Sequence, residues 1–356
     1  MESKLDANTP ALHRVANHVD RGGLMPNIAT KQVFESIAEE NNSYKGILSN
    51  SGWLYLINDT NDFFRIFYGI DSWSEEDERL AISALTQRAS AMSSMSLPYL
   101  KFIVPEKPAV YPEHLPAIMQ SFPINNRRPA TILAQEFPDN VYYLLPFLAS
   151  VKSLGQLYFR GDTHPNWIGA WLIYRAIMSR LVQDGLMSED KILDIKDLAP
   201  TLVGYDGDLV PHLSPEARSQ LAGRLGFVIP AEGLEWTVKL EIPPERRCAA
   251  RVQTPEAYDK WYNSRETFVF ERSDRLGPKV VFFRDSTFDR GLMEMLAEHC
   301  SRSVFVWHLG QVDKDIIEIE TPDFVVHCMA ERFVTQYPSF PPLYQARKHF
   351  ESLDAR

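Results

Sequence analysis

Two short motifs in this chain carry residues able to do covalent chemistry: Asp162-Thr163-His164 and, well downstream, Asp285-Ser286-Thr287. The second closes the apolar run Pro278-Lys279-Val280-Val281-Phe282-Phe283-Arg284 and precedes a predicted helix over about 288–300. A serine at the carboxyl end of a buried strand, on a tight turn below a helix N-terminus, is placed to act as a nucleophile. The first motif sets a carboxylate and an imidazole two residues apart, after the apolar segment Gly155-Gln156-Leu157-Tyr158-Phe159, which reads as a second strand end. Together they are the parts of a Ser-His-Asp triad, and the implied chemistry is acyl transfer. Ser286 would attack, His164 would carry the proton, and Asp162 would fix the imidazole tautomer. An ordinary imidazole titrates near ~6.5 and so exchanges protons at neutral pH. The competing readings are a helix-capping serine, a surface histidine at a helix start and a turn aspartate.

Other residues are candidates to support that chemistry. The backbone N–H groups of Ser286 and a neighbour are natural oxyanion donors, with Arg284 and Thr287 beside them. Arg284 could equally be an ion-pair partner. Asn166, Lys107 and Tyr111 are candidates to flank the site and touch substrate; for Lys107 and Tyr111 the competing reading is a solvent-facing loop. Asp285 is expected to brace the turn. A metal site on Asp162 and His164 lacks a third-ligand motif, so no metal is expected.

The elements that must position these residues are legible in outline. Residues 1–48 read as a loosely attached arm with a helix around 31–40. The catalytic domain is expected over 49–340, opening with the strand Gly52-Trp53-Leu54-Tyr55-Leu56-Ile57, and a tail follows over 341–356. Ser74-Glu75-Glu76-Asp77 is a helix start with a capping hydroxyl and an acidic first turn, running to about Met95. Leu100-Lys101-Phe102-Ile103-Val104 is a short buried strand, and Pro165 suits the first turn of an amphipathic helix over about 166–181. Residues 188–271 are irregular, with one hairpin around 234–242, and read as an insertion bordering the site. The last third alternates short apolar strands and helices: strand 280–283, helix 292–300, strands 303–307 and 323–327, helix 329–335. This pattern indicates an α/β fold with a mostly parallel sheet covered on both faces. Ligands in such sheets sit at the carboxyl ends of strands.

Composition narrows the class. With 45% hydrophobic and 24% charged residues, the 356-residue chain is an ordinary globular protein. Its net charge of −10, with no extended Lys/Arg run, argues against nucleic acid as a partner. Three cysteines, Cys248, Cys300 and Cys328, without CxxC spacing, argue against a disulfide framework or structural zinc. No apolar run reaches the ~20 residues of a membrane span, and no secretory signal opens the sequence. A cytoplasmic protein is expected as written, or a periplasmic one if a leader has been removed.

The sequence also resembles the AlgJ/AlgX-type polysaccharide O-acetyltransferases of the wider SGNH hydrolase superfamily. Gly52-Trp53-Leu54-Tyr55-Leu56 is similar to the family's first strand, and Phe102-Ile103-Val104-Pro105-Glu106-Lys107-Pro108-Ala109-Val110-Tyr111-Pro112-Glu113 to its "APNK…IYPE" segment. Asp162-Thr163-His164-Pro165-Asn166-Trp167-Ile168-Gly169-Ala170 resembles the "DTHWN..GA" block, and Arg284-Asp285-Ser286 the "RDS" block. Pro322-Asp323-Phe324-Val325-Val326 through Glu331-Arg332-Phe333 resembles the closing "PDVVI…ERF" segment. Leu198-Ala199-Pro200 and Gly207-Asp208-Leu209 are looser echoes. The resemblance, over about 50–335, implies an SGNH hydrolase-like α/β/α sandwich with Asp162, His164 and Ser286 as triad. It implies transfer of an acetyl group to a sugar hydroxyl through acetyl-Ser286, as in alginate biosynthesis. No bound cofactor is implied, only an acetyl donor or donating protein and a saccharide acceptor. Pro165 departs from the family's Trp at that position. Two alternatives stay open: an acetylesterase with the same triad, and a catalytically silent carbohydrate-binding scaffold.

Overall fold

The computed structural model describes residues 28–40, 45–59, 61–189, 192–225, 235–261, 267–308, 310–339 and 341–347. Its strands, in chain order, are β1 (Gly46–Leu48), β2 (Leu54–Leu56), β3 (Tyr99–Val104), β4 (Val141–Tyr143), β5 (Ala199–Tyr205) and β6 (Glu235–Glu241). They continue with β7 (Ala249–Val252), β8 (Phe268–Arg272), β9 (Lys279–Arg284), β10 (Arg302–Trp307) and β11 (Phe324–Ala330). Among the described residues, seven of them form the central sheet in the order β4-β3-β11-β9-β10-β8-β7. The pairs from β4 to β10 are parallel, and β8 and β7 add on antiparallel.

The middle strands read as unbroken apolar runs because both of their faces are buried. Along β9, Val280 and Phe282 point into one core, while Val281 and Phe283 point into the other. The first core is closed by the helices Trp167–Gln183 and Leu292–Ala297, through Ile173, Ile177 and Leu296. The second is closed by the helices Glu75–Ser94, Pro129–Glu136 and Lys314–Glu320, through Leu85, Leu133 and Ile316. Each such side chain contributes roughly 1.5–3 kcal/mol on burial, which fixes the strand register. The helix Glu75–Ser94 starts where its sequence indicates: Ser74 Oγ accepts from the Asp77 N–H at 3.1 Å, and Asp77 accepts from the Ser74 N–H at 3.0 Å. The result is the expected α/β/α sandwich with a mostly parallel sheet.

Three expectations change. The arm over 1–48 is not loose where it is described: the helix Ile28–Glu40 buries Phe34 against Phe64 and Tyr68. The 188–271 stretch is not wholly outside the sheet, since it supplies the edge strand β7 and most of β8. Nor do the described residues form a local hairpin around 234–242. β6 instead pairs antiparallel with the distant β5, from Ala199↔Glu241 to Tyr205↔Glu235, as a separate two-stranded ribbon. Neither strand can be paired by local sequence because the helix Pro215–Leu225 lies between them. No helix among the described residues is long and apolar enough to cross a membrane.

Candidate active site

Ser286 follows the carboxyl end of β9, the middle strand of the sheet, after a single intervening residue. That residue, Asp285, is fully buried. Its Oδ1 accepts from the Thr287 N–H at 2.8 Å and from the Thr287 hydroxyl, and its Oδ2 accepts from the Ala330 N–H of β11 at 2.6 Å. The carboxylate thus ties the turn to the neighbouring strand. Ser286–Phe288 makes one 3-10 turn, and Arg290 and Gly291 then take left-handed conformations (φ 64° and 85°) that redirect the chain into the helix Leu292–Ala297. Ser286 is left partly exposed.

Asp162 and His164 do not stand at a strand end. Residues 155–165 form a loop with the ladder-like pair Tyr158↔Pro165, and the Arg160 and Gly161 carbonyls accept singly from the Leu54 and Leu209 N–H groups. Lys107, buried at 2% exposure, donates to the carbonyls of Phe159, Arg160 and Asp162 at 3.1, 3.0 and 2.7 Å. Asn166 caps the helix Trp167–Gln183 by accepting from the Gly169 N–H at 2.9 Å, and donates to the Gln156 carbonyl at 2.6 Å. A side chain at position 169 would bring its Cβ to 2.1 Å from the Leu157 carbonyl oxygen, so only glycine lets loop and helix meet.

Across this loop and turn the three side chains meet. Asp162 Oδ1 accepts from His164 Nδ1 at 2.6 Å and from the His164 backbone N–H at 2.8 Å, and His164 Nε2 lies 2.6 Å from Ser286 Oγ. Asp162 Oδ2 takes the Tyr205 hydroxyl at 2.6 Å, the Asp208 N–H at 3.2 Å and Arg290 Nη2 at 3.4 Å. Burial alone would raise this carboxyl. The hydrogen bond and charge of His164, the Tyr205 hydroxyl and the Arg290 guanidinium outweigh burial and hold it well below the usual carboxylate range. Tyr205 stacks on Phe159 at 3.9 Å between centroids and also receives a hydrogen bond from Arg290. Asp208 accepts from the Thr163 N–H and hydroxyl at 2.8 and 2.7 Å, and its Oδ2 stands 3.5 Å from His164 Nδ1. Gly207 (φ 79°) makes that approach possible, since a Cβ there would sit 2.1 Å from the Gly161 carbonyl oxygen.

The remaining expected residues stand around this group rather than in it. Asn166 is the helix cap and Thr287 a partner of Asp285. Arg284, 2% exposed, lies between the rings of Phe268 and Trp307 and 3.6 Å from Asp289. Lys107 and Tyr111 are not solvent-facing: Lys107 clamps the loop, and the Tyr111 hydroxyl accepts from the Leu157 N–H at 2.9 Å while its ring packs on Trp53. Tyr205, Asp208 and Arg290 were not among the residues expected from sequence; only Gly207-Asp208 carried any signal, within the family resemblance. Asp162, His164 and Asp208 offer three donor atoms within 4.8 Å of one another. A cation there would have to displace the donors already bound to both carboxylates and sit beside Arg290, so the donor set does not suit a metal.

No protein-family model matches the chain, and no curated protein matches it. Solved structures do. A Bacillus cereus PatB1 structure carrying a sulfonyl adduct superposes with a TM-score of 0.58 at 15% identity, covering 82% of this chain and 98% of PatB1. A DHHW family protein from Eubacterium siraeum gives 0.57 at 13% identity, covering 84% and 98%. The O-acetyltransferase domain of Pseudomonas putida AlgJ gives 0.51 at 17% identity, covering 88% and 100%. The sheet, its helical layers and their order along the chain are therefore those of the AlgJ-like α/β fold, shared over most of each molecule.

Proposed function

We propose that this protein is a carbohydrate O-acetyltransferase working through an acetyl-Ser286 intermediate. The observation that carries the reading is the unbroken series Asp162–His164–Ser286, with both links at 2.6 Å. Ser286 Oγ attacks the acetyl carbonyl as His164 Nε2 takes its proton, and the imidazolium is stabilised by Asp162. The bond to the donor breaks, and His164 returns the proton to the departing group. A sugar hydroxyl then attacks acetyl-Ser286, giving its proton to His164. Collapse forms the sugar ester and restores the Ser286 hydroxyl. The Thr287, Phe288 and Asp289 N–H groups of the Ser286 turn already donate within the protein, so the Ser286 N–H is the turn's candidate donor to the tetrahedral oxyanion. Support from elsewhere is the shared fold with a domain named as an O-acetyltransferase, and with PatB1, whose structure holds a sulfonyl adduct.

An acetylesterase with the same steps uses water in place of the sugar. Partial exposure of Ser286 and a His164 side chain 13% exposed give that reading its support, because solvent reaches the acyl group. The test is intact mass after incubation with an activated acetyl ester. Wild type is expected to gain one acetyl group on Ser286, while Ser286→Ala gains none and His164→Ala acylates at least ~10²-fold more slowly. Breakdown of the adduct with and without saccharide then separates transferase from esterase. A folded wild-type protein that never acylates would sink both and leave a sugar-binding scaffold.

A further inference from the structure

Three residues stand two positions past the carboxyl ends of neighbouring parallel strands: Glu106 after β3, Arg332 after β11 and Ser286 after β9. With about 4.8 Å between strands, Arg332 and Glu106 lie roughly 5–10 Å from Ser286 across the sheet, both on the same side of it. They line a recess together with Tyr55, Asp59, Lys107 and Thr163, the residue between Asp162 and His164. Several polar groups of that recess are already used inside the protein. Lys107 serves three carbonyls, Tyr55 donates to the Tyr111 carbonyl at 3.3 Å, and the Thr163 hydroxyl donates to Asp208 at 2.7 Å.

Arg332 differs. It is 8% exposed, with Nε 3.0 Å from Glu106 Oε1, yet its side chain makes no hydrogen bond among the described residues. Nearby Arg128 shows the contrast: its Nε, Nη1 and Nη2 donate to Glu331, the Asn125 carbonyl and the Tyr143 hydroxyl at 2.7, 2.8 and 2.8 Å. Burial works against the Arg332 charge, and Glu106, Asp59, Asp285 and Asp208 together outweigh it. A buried cation whose hydrogen bonds are unmade is costly to the fold, so a group that completes them is expected in the recess.

We infer that Arg332 and Glu106 form the acceptor subsite, in which Arg332 N–H groups donate to a saccharide hydroxyl and the Glu106 carboxylate accepts that hydroxyl's proton in a hydrogen bond. The inference rests on the acetyltransferase reading above. Guanidinium donors beside a carboxylate acceptor match a hydroxyl, which both gives and takes a hydrogen bond. The recess holds about 20 Å³, the room of one water, so a single hydroxyl enters while the ring lies across its mouth toward acetyl-Ser286. No bond forms or breaks there; the pair positions another hydroxyl of the saccharide for attack.

The test loads Ser286 from a neutral activated acetyl ester. It then follows decay of the acyl-enzyme with methyl glycosides of glucose, galactose, mannose and N-acetylglucosamine. The best acceptor is compared with its monodeoxy analogues, each rate being taken per acyl-enzyme formed. The analogue lacking the acetylated hydroxyl gives no transfer. A second, lacking the hydroxyl held by Arg332, is expected to need at least ~10-fold more for half-saturation. Arg332→Lys, which keeps the charge but loses the fork of donors, should weaken the parent glycoside ~10-fold and bring that deoxy penalty within ~2-fold. Such coupling between one side chain and one hydroxyl is not produced by a purely structural role. Glu106→Gln should lower the same penalty at least ~3-fold, and it carries the test if Arg332→Lys does not fold. Equal saturation by every analogue that transfers, or a deoxy penalty kept by the folded variants, overturns the inference and leaves the recess to a bound water. Variants that slow only acylation by the ester would make it a donor site, which also overturns it. If no glycoside accelerates decay, this inference falls while Ser286 acylation stands. Failure to form the acyl-enzyme would instead remove the parent reading, and this one with it.

Discussion

Asp162 is the residue on which the site turns, because it satisfies two requirements at once. One oxygen holds both the ring and the backbone N–H of His164, so the imidazole has a single orientation; the other collects Tyr205, Asp208 and Arg290, so the carboxylate itself cannot rotate. Replacing it with Asn keeps the shape but offers a donor where Nδ1–H needs an acceptor. Asp162→Asn is expected to lower kcat for ester turnover by about 10³–10⁴-fold with KM nearly unchanged. Tyr205→Phe removes one hydrogen bond to an ion, about 1.5 kcal/mol, and should cost ~10-fold in kcat, again without a matching change in KM. A rise in KM alone would instead make Tyr205 a substrate contact. Sequence exposed Asp162, His164 and Ser286 because their types and strand-end or helix-start settings are local. Tyr205 and Arg290 left no such mark: an aromatic in an irregular stretch and an arginine before a glycine are common, and only the fold brings them to Asp162.

At the scale of elements, the site is a junction of a rigid turn and a clamped loop. The Ser286 turn inherits its position from β9 and β11, the part most legible in the sequence, since a run such as Val280-Val281-Phe282-Phe283 has few other stable uses. The segment before Asp162 has the apolar pattern of a strand end, yet it folds as a loop. Its apolar residues Leu157, Tyr158 and Phe159 are buried by packing, while its carbonyls are taken by scattered donors (Asn166 N–H, the Gln156 amide, Lys107 and the Leu54 N–H) rather than by a continuous strand ladder. The β5–β6 ribbon is hidden in the sequence for a related reason: its partners are separated by a helix, so no turn residues announce the pairing. Gly207 tests whether the ribbon's end governs the site. Gly207→Ala forces a Cβ against the Gly161 carbonyl oxygen in a left-handed conformation, at a cost of about 1–3 kcal/mol. A lower denaturation midpoint together with reduced acylation is expected. A full loss of stability with unchanged acylation per folded molecule would show that Tyr205 and Asp208 are not held by this contact.

For the molecule as a whole, the adjacent pair Glu106 and Lys107 sets how stability responds to pH. Both line a cavity of about 20 Å³ next to Thr163, room for about one water, through which protons can exchange. Burial raises Glu106 to about 7, with Glu331 and Asp59 adding to it and Arg332 opposing. Burial lowers Lys107 to about 7, against the pull of Asp162, Glu235, Asp208 and Glu106. The signs are opposite. Between about pH 4.5 and 7 the folded state holds the Glu106 proton that the unfolded chain releases, so this contribution is present below 4.5 and lost as pH rises through 7. Between about 7 and 10.5 the unfolded chain holds the Lys107 proton that the folded state releases, so that contribution vanishes as pH falls to 7 and returns above it. Each limb has a slope of at most about 1.4 kcal/mol per pH unit, and together they place a minimum of unfolding free energy near neutrality. Glu106→Gln should flatten the falling limb alone, and Lys107→Met the rising limb alone, in denaturant titrations across pH 4–10. Lys107→Met should also lower stability by leaving the Phe159 and Asp162 carbonyls without their donor, while the Arg160 carbonyl keeps the Leu54 N–H. If both variants keep the wild-type curvature, the two groups titrate in the fold as they do in water, and the loop is held by something other than this buried amine.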